Sequence, residues 1–347
     1  MHQPQVKILA FLRLQAQPHF SHEWTRFQML SALLAAALLA STPASISAQT
    51  PGPLVAQEQS EATRLEDVTV TGTKLETLIE AFVRDVAAPV PGRNLARWDT
   101  SVCVAVVNFR ADGAQYLADR ISTIASDVGL RVGQPGCTPN IVVIGSTHPS
   151  LLAREMVHQH RGMFRMGGAG MDHGAAALRQ FVDGDEPVRW WQIAMPTDEE
   201  TGVHAVRLPG DCRQGCTRRG STLDMAPHIQ SIYASRLRSP VVDNLMRAIV
   251  IVDAEKVAHL SALQLADYIA MVTLTQVDPE AAPMSYASIL NVISDPSVAT
   301  SLTDWDTSYL AGLYNGERGQ RGLGSGRSEV VRSIRAAHAD MTSQRED

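Results

Sequence analysis

The chain has 347 residues, 45% of them hydrophobic and 19% charged, with a net charge of −6. That is globular composition, with room for one large domain or two small ones, and it excludes a disordered or fibrous protein. Its 30 basic residues are scattered among 36 acidic ones, which argues against nucleic acid or an anionic membrane surface as main partner.

Met29 to Ala40, MLSALLAAALLA, is almost wholly apolar, and small residues follow it through Ala48. Twelve helical residues span about 18 Å, too little for a hydrocarbon core of about 30 Å. With Arg26 in front, the pattern is that of a secretory signal cleaved after Ala48. Residues 1–48 are therefore read as a signal region, with Met29 as an alternative start, and the mature chain is expected to be periplasmic or secreted with no transmembrane span. Lys7, Arg13 and Arg26 against Glu23 give that region +2, so removing it takes −6 to about −8. Residues 49–65, polar and holding Pro51 and Pro53, read as a flexible linker. Export makes the four cysteines disulfide candidates. Three connectivities are possible. The spacing favours Cys212 with Cys216 in a small ring bent at Gly215, which leaves Cys103 for Cys137.

A globular domain is expected over 66–325. DVTVTGT (67–73) alternates like a strand, and 74–87 places Leu75, Leu78, Ile79 and Phe82 on one helical face. TSVCVAVVNF (100–109) and PNIVVIGS (139–146) read as strands, each followed by a helix (113–130, and 150–159 begun by Ser150). Strand, helix, strand, helix implies a parallel pair joined by a crossover, which a Cys103–Cys137 bridge would staple. PVRWWQIAMP (187–196) and GVHAVRLPG (202–210) look like antiparallel strands, and RAIVIVDA (247–254) like a buried one. GRSEVVRSIRAAHADMTSQ (326–344) reads as a surface helix fraying into a charged tail, so 326–347 is set apart.

Between Ala262 and Leu274 the only residues neither apolar nor aromatic are Gln264, Asp267 and Thr273, as in a helix buried in a core. Residues 264, 267, 268 and 271 share one face, which makes Gln264, Asp267 and Tyr268 its polar stripe. The order strand, helix, strand, RAIVIVDA, buried helix resembles the first half of the zincin fold. SYASILNVI is similar to the turn after the active site of metzincins, with Leu290 in place of their methionine, and LTDWDTSYLAGLYNG to their closing helix. The resemblance spans residues 98–316 and extends to exported bacterial proteins with a zincin-like domain. It implies an α+β fold: a mixed sheet, a crossover helix and a buried central helix, here disulfide-stapled. The chemistry does not carry over. Laid on H-E-x-x-H-x-x-G-x-x-H, Gln264, Tyr268 and Leu274 stand at the three ligand positions and Leu265 at the general base. Leucine neither binds zinc nor relays a proton. No metal and no cofactor are expected.

His158, His160 and His173 lie among glycines 167, 168, 170 and 174, where a mobile loop over a cleft is a better reading than a displaced metal site. In Arg189-Trp190-Trp191-Gln192 the two indoles point to opposite sides of a strand, one into the core and the other partly exposed. The zincin resemblance makes Arg189 to Ala194 the edge that takes an added strand. No G-x-S-x-G elbow occurs. The expected function is a catalytically inactive, exported zincin-like protein binding a polypeptide or envelope component. The alternative is a hydrolase or peptidase using His173 with Asp172 or Asp267.

Overall fold

A computed structural model describes residues 72–164, 171–205, 238–281, 283–320 and 322–346. The expected signal region and linker, most of the 67–73 strand and the Cys212–Cys216 pair lie outside the described residues.

Four strands form one mixed sheet in the order β1-β2-β4-β3: β1 (Val104–Val107), β2 (Ile141–Ser146), β3 (Val188–Asp198) and β4 (Val241–Asp253). β1, β2 and β4 are mutually parallel, and β3 runs antiparallel along β4. The run Ala248 to Val252 in β4 is wholly buried, as a strand sandwiched between two layers must be. β3 pairs along its length with β4, and of the expected neighbouring strand 202–210 the described start makes an antiparallel bridge to it, Thr197 to His204, beside the bonds Ala205 N–H to Pro196 carbonyl and Asp198 N–H to Val203 carbonyl; the rest of that segment lies outside the described residues. The long apolar β4 offers eleven partners.

α1 (Gly72–Val86) precedes the sheet, α2 (Ala111–Asp127) follows β1, and α3 (Pro149–Gln159) follows β2. Two short helices, α4 (Arg161–Phe164) and α5 (Gly174–Asp183), lead into β3. After β4 come α6 (Ala262–Leu274), a 3-10 turn (Ile289–Asn291), α7 (Asp304–Asn315) and α8 (Leu323–Glu346). Trp190 meets Tyr268 of α6 edge-on at 6.4 Å, while Trp191 lies 6.0 Å from Phe181 of α5. Neighbouring strand residues point to opposite faces, so α6 and α5 cover opposite faces of the sheet.

Some expected details shift. α3 begins at Pro149 after His148, and Ser150, rather than capping, sits inside the helix as an acceptor for Arg189. On α1 the buried face is Ile79, Phe82, Val83 and Val86, with Leu78 exposed. Residues 72 and 73 are helical rather than strand. α8 is not a loose surface helix. It buries Val331 and Ile334 and packs on α1 and α7. A methyl group at Gly312 of α7 would lie 2.6 Å from the Ile334 Cα, so the two backbones approach where only glycine fits.

Cys103 and Cys137 are bonded, with Cα atoms 6.1 Å apart. The Asn140 side-chain Oδ1 accepts the Cys103 N–H at 2.7 Å, holding the bridge beside the start of β2. A methyl group at Gly133 would meet the Cys137 Sγ at 2.6 Å. The fold is thus α+β, with a mixed sheet, a crossover helix between β1 and β2, a buried central helix and a disulfide staple.

Candidate functional site

α6 carries the polar stripe singled out in the sequence, and each of its members is held in the core, Gln264 and Asp267 by hydrogen bonds and Tyr268 by packing. Ser261 caps the helix, and Gln264 completes the capping box by accepting the Ser261 N–H. The same Gln264 amide donates to the carbonyls of Pro296 (2.7 Å) and Ala299 (2.8 Å). Asp267 is 0% exposed, and its carboxylate receives Arg120 Nε at 2.6 Å, Arg120 Nη2 at 3.1 Å and the Leu302 N–H at 2.7 Å. Tyr268 is buried against Trp190, and burial raises its phenol pKa. Three hydrogen bonds converge on this one carboxylate, so Asp267 binds α2 and the loop before α7 to the central helix. Arg120 was not singled out in the sequence. It is one basic residue in an amphipathic helix, and only the fold sets it against Asp267.

The turn and closing helix are also joined by a buried carboxylate. Asp306 accepts the Ser288 hydroxyl at 2.6 Å, the Ile289 N–H at 2.8 Å and the Thr303 hydroxyl at 2.7 Å. Burial raises its pKa against the pull of those bonds.

The expected binding strand is the last of the sheet among the described residues, but its side chains differ from expectation. Both Trp190 (8% exposed) and Trp191 (3%) are buried, because a helical layer covers each face. Trp191 Nε1 donates to the Phe164 carbonyl at 2.9 Å. Gln192 donates to the carbonyls of Val272 (2.9 Å) and Thr275 (2.7 Å), satisfying the C-terminal end of α6. The Arg189 guanidinium reaches the carbonyls of Phe181, Val182 and Gly184 and the Ser150 hydroxyl at 2.6–3.2 Å. It therefore braces the last turn of α5, and burial lowers its pKa.

The backbone here is enclosed as well, with Val188 1% and Gln192 3% exposed. The Pro187 carbonyl accepts the Asp253 N–H, which sets residues 187, 189, 191 and 193 to bond β4. Val188, Trp190 and Gln192 then point their N–H and C=O groups outward, and among the described residues nothing bonds them. A cavity of about 200 Å³ lies along this edge. Val188 through Gln192 all line it, including residues from both faces of the sheet, so it follows the strand's edge rather than either face. One wall is α5 with His173, Ala177, Gln180 and Phe181, and the other is Val277, Asp278 and Pro279. Gln180 donates to Glu280 at 3.0 Å, linking the two walls. Burial lowers the His173 pKa, although Asp172 and Asp278 favour its cation.

The fold does not unite the other candidates. His158 is exposed on α3, and His160 is that helix's C-cap, while His173 precedes α5 at the cavity. Among the described residues no three His, Cys, Asp or Glu side chains converge as a metal site would require. Asp267 is closed off with Arg120 and does not line the cavity, so His173 and Asp267 do not form one pair. No helix of the described residues is long and apolar enough to cross a membrane. Comparison with protein-family models, curated proteins and solved structures finds no significant match.

Proposed function

We propose that the protein is an exported zincin-like protein without catalysis that binds a polypeptide or envelope component as a strand added to β3. One observation carries this reading: among the described residues β3 is the last strand of the sheet, and none of them bonds the outward main-chain groups of Val188, Trp190 and Gln192 beside a cavity. The last strand of a sheet is a template for main-chain pairing. Lack of catalysis is supported by the structural bonds of Gln264 and Asp267 and by Leu265 and Leu274 at the positions of base and third ligand. Export is supported by the Cys103–Cys137 bridge and the apolar run from Met29.

A photo-cross-linking residue placed at Gln180, on the cavity wall, tests the proposal in the native cell envelope. It should capture a polypeptide or envelope component that the same residue at exposed Asp119 on α2 does not. Equal capture from both positions refutes the binding edge. Stoichiometric zinc together with chelator-sensitive peptide hydrolysis refutes the loss of catalysis.

A further inference from the structure

α7 turns Trp305, Ser308, Tyr309 and Gly312 to one side, by their i, i+3, i+4 and i+7 spacing. Two helices close over that side. Phe82 of α1 lies 5.3 Å from the Trp305 ring and 5.8 Å from that of Tyr309, and Ile334 of α8 meets Gly312. Trp305, Ser308 and Tyr309 are all buried, with 5%, 1% and 0% exposure. Yet no described residue bonds Trp305 Nε1, Ser308 Oγ or Tyr309 Oη. A polar group taken from water without a new partner opposes the packing that buries it. Three of them on one side of one helix weaken whatever covers it.

Of the two covering helices, α8 is the one held by less. Its 24 residues bury two of their described apolar side chains, Val331 and Ile334, with Val330 half-buried beside them, whereas the 15 residues of α1 bury Ile79, Phe82, Val83 and Val86. The ion pair of α8 to α1, Arg335 with Glu76, is half-exposed on both partners and adds little. Glu329 accepts the Glu317 N–H and otherwise pairs with Arg332 of its own helix. The chain before α8 is anchored, with Arg318 on Asp99 and the Gln320 carbonyl on the Asn94 amide. A swing of the helix is therefore taken up at Gly322 and Gly324, which have no side chain to resist it.

We infer that α8 is a releasable strap, a unit that lifts from α1 and α7 while the sheet, α6 and α7 stay folded. Lifting returns the side of α7 that carries Trp305, Ser308 and Tyr309 to water, which offsets the loss of Val331 and Ile334 from the core. The inference is independent of the strand-addition reading, since no described residue of α8 lines the cavity beside β3.

Native-state amide exchange tests this on the full mature chain, with the disulfide intact and urea kept below the unfolding transition. Val331 and Ile334 should exchange together, about a hundredfold faster than Ile269 of α6 and Ile251 of β4, and with a weaker urea dependence than theirs. Tyr309→Phe and Ser308→Ala each delete a buried hydroxyl that no described residue bonds, and each should slow exchange at Val331 and Ile334 by about fivefold. One rate and one urea dependence at all four amides would show that α8 leaves only when the whole chain unfolds, which overturns the strap. Exchange that quickens residue by residue from Val331 toward the end of α8, without urea dependence, is fraying and overturns it too. Unchanged or faster exchange in both hydroxyl variants would mean that lifting α8 does not relieve those groups, and overturns the mechanism of release.

Discussion

Replacing Asp267 tests whether α6 is a scaffold element. Its carboxylate is fully buried and holds two bonds from Arg120 and one from the Leu302 N–H. Removing one partner of a buried ion pair costs about 3–5 kcal/mol. Arg120 keeps 29% of its side-chain surface, so water can partly replace the lost carboxylate, and Asp267→Asn should fall at the lower end, near 3 kcal/mol. Asp267→Leu also strips the acceptor from the Leu302 N–H, adding roughly 1–3 kcal/mol. Arg120→Leu should be comparably harmful, but the double variant Arg120→Leu/Asp267→Leu should be milder than the sum of its parts by about 2 kcal/mol. Urea unfolding with the disulfide intact measures each, with Asp119→Asn on the outside of α2 as a control within about 0.5 kcal/mol of wild type. An Asp267→Asn variant as stable as that control, or a strictly additive double variant, would refute the structural role.

The layered α+β frame was legible because its signals are local and redundant. β4 reads as a continuous apolar run and α6 as a helix apolar nearly all round, and both patterns mean burial on two sides. The partner of a given strand is not local. Nothing in 187–196 says that it pairs along its length with β4, since alternation fixes a strand's faces but not its neighbours. For the same reason the tryptophans were misassigned. Opposite sides of a strand differ in exposure only if one face is open, and here α5 and α6 cover both. The α6 stripe was recognisable as polar, yet its meaning depended on Arg120, 147 residues away. The cavity is the least legible feature. Its lining brings together α5, β3 and residues 277–279, segments far apart in sequence that only the topology sets side by side.

Two further substitutions probe the packing. Cys103→Ser opens a loop of separation 34, worth about 3–4 kcal/mol by loop-closure entropy, and should lower the melting temperature clearly; an unchanged melting temperature would count against the staple. Gly312→Ala sets a methyl group against the Ile334 backbone, and should destabilise by about 1–3 kcal/mol and loosen α8, seen as faster amide exchange around Val331; a stabilising effect, as glycine-to-alanine gives in an open helix, would show that the helices do not approach there. The pH dependence of stability is set in part by His173, whose folded pKa burial lowers below the ordinary 6.5. Above about pH 6.5 the imidazole is neutral in both folded and unfolded chains and contributes no slope. As pH falls below that value the unfolded chain takes up the proton first, so the fold loses stability at up to about 1.4 kcal/mol per pH unit until the folded pKa is reached. His173→Gln removes this term and leaves those of the other ten histidines and the carboxylates. Subtracting the variant's unfolding free energy from that of wild type should therefore give a difference that is flat above pH 7 and falls between pH 6.5 and 5. A flat difference across that range would mean that His173 protonates as easily in the fold as in water, and that the cavity leaves it solvated.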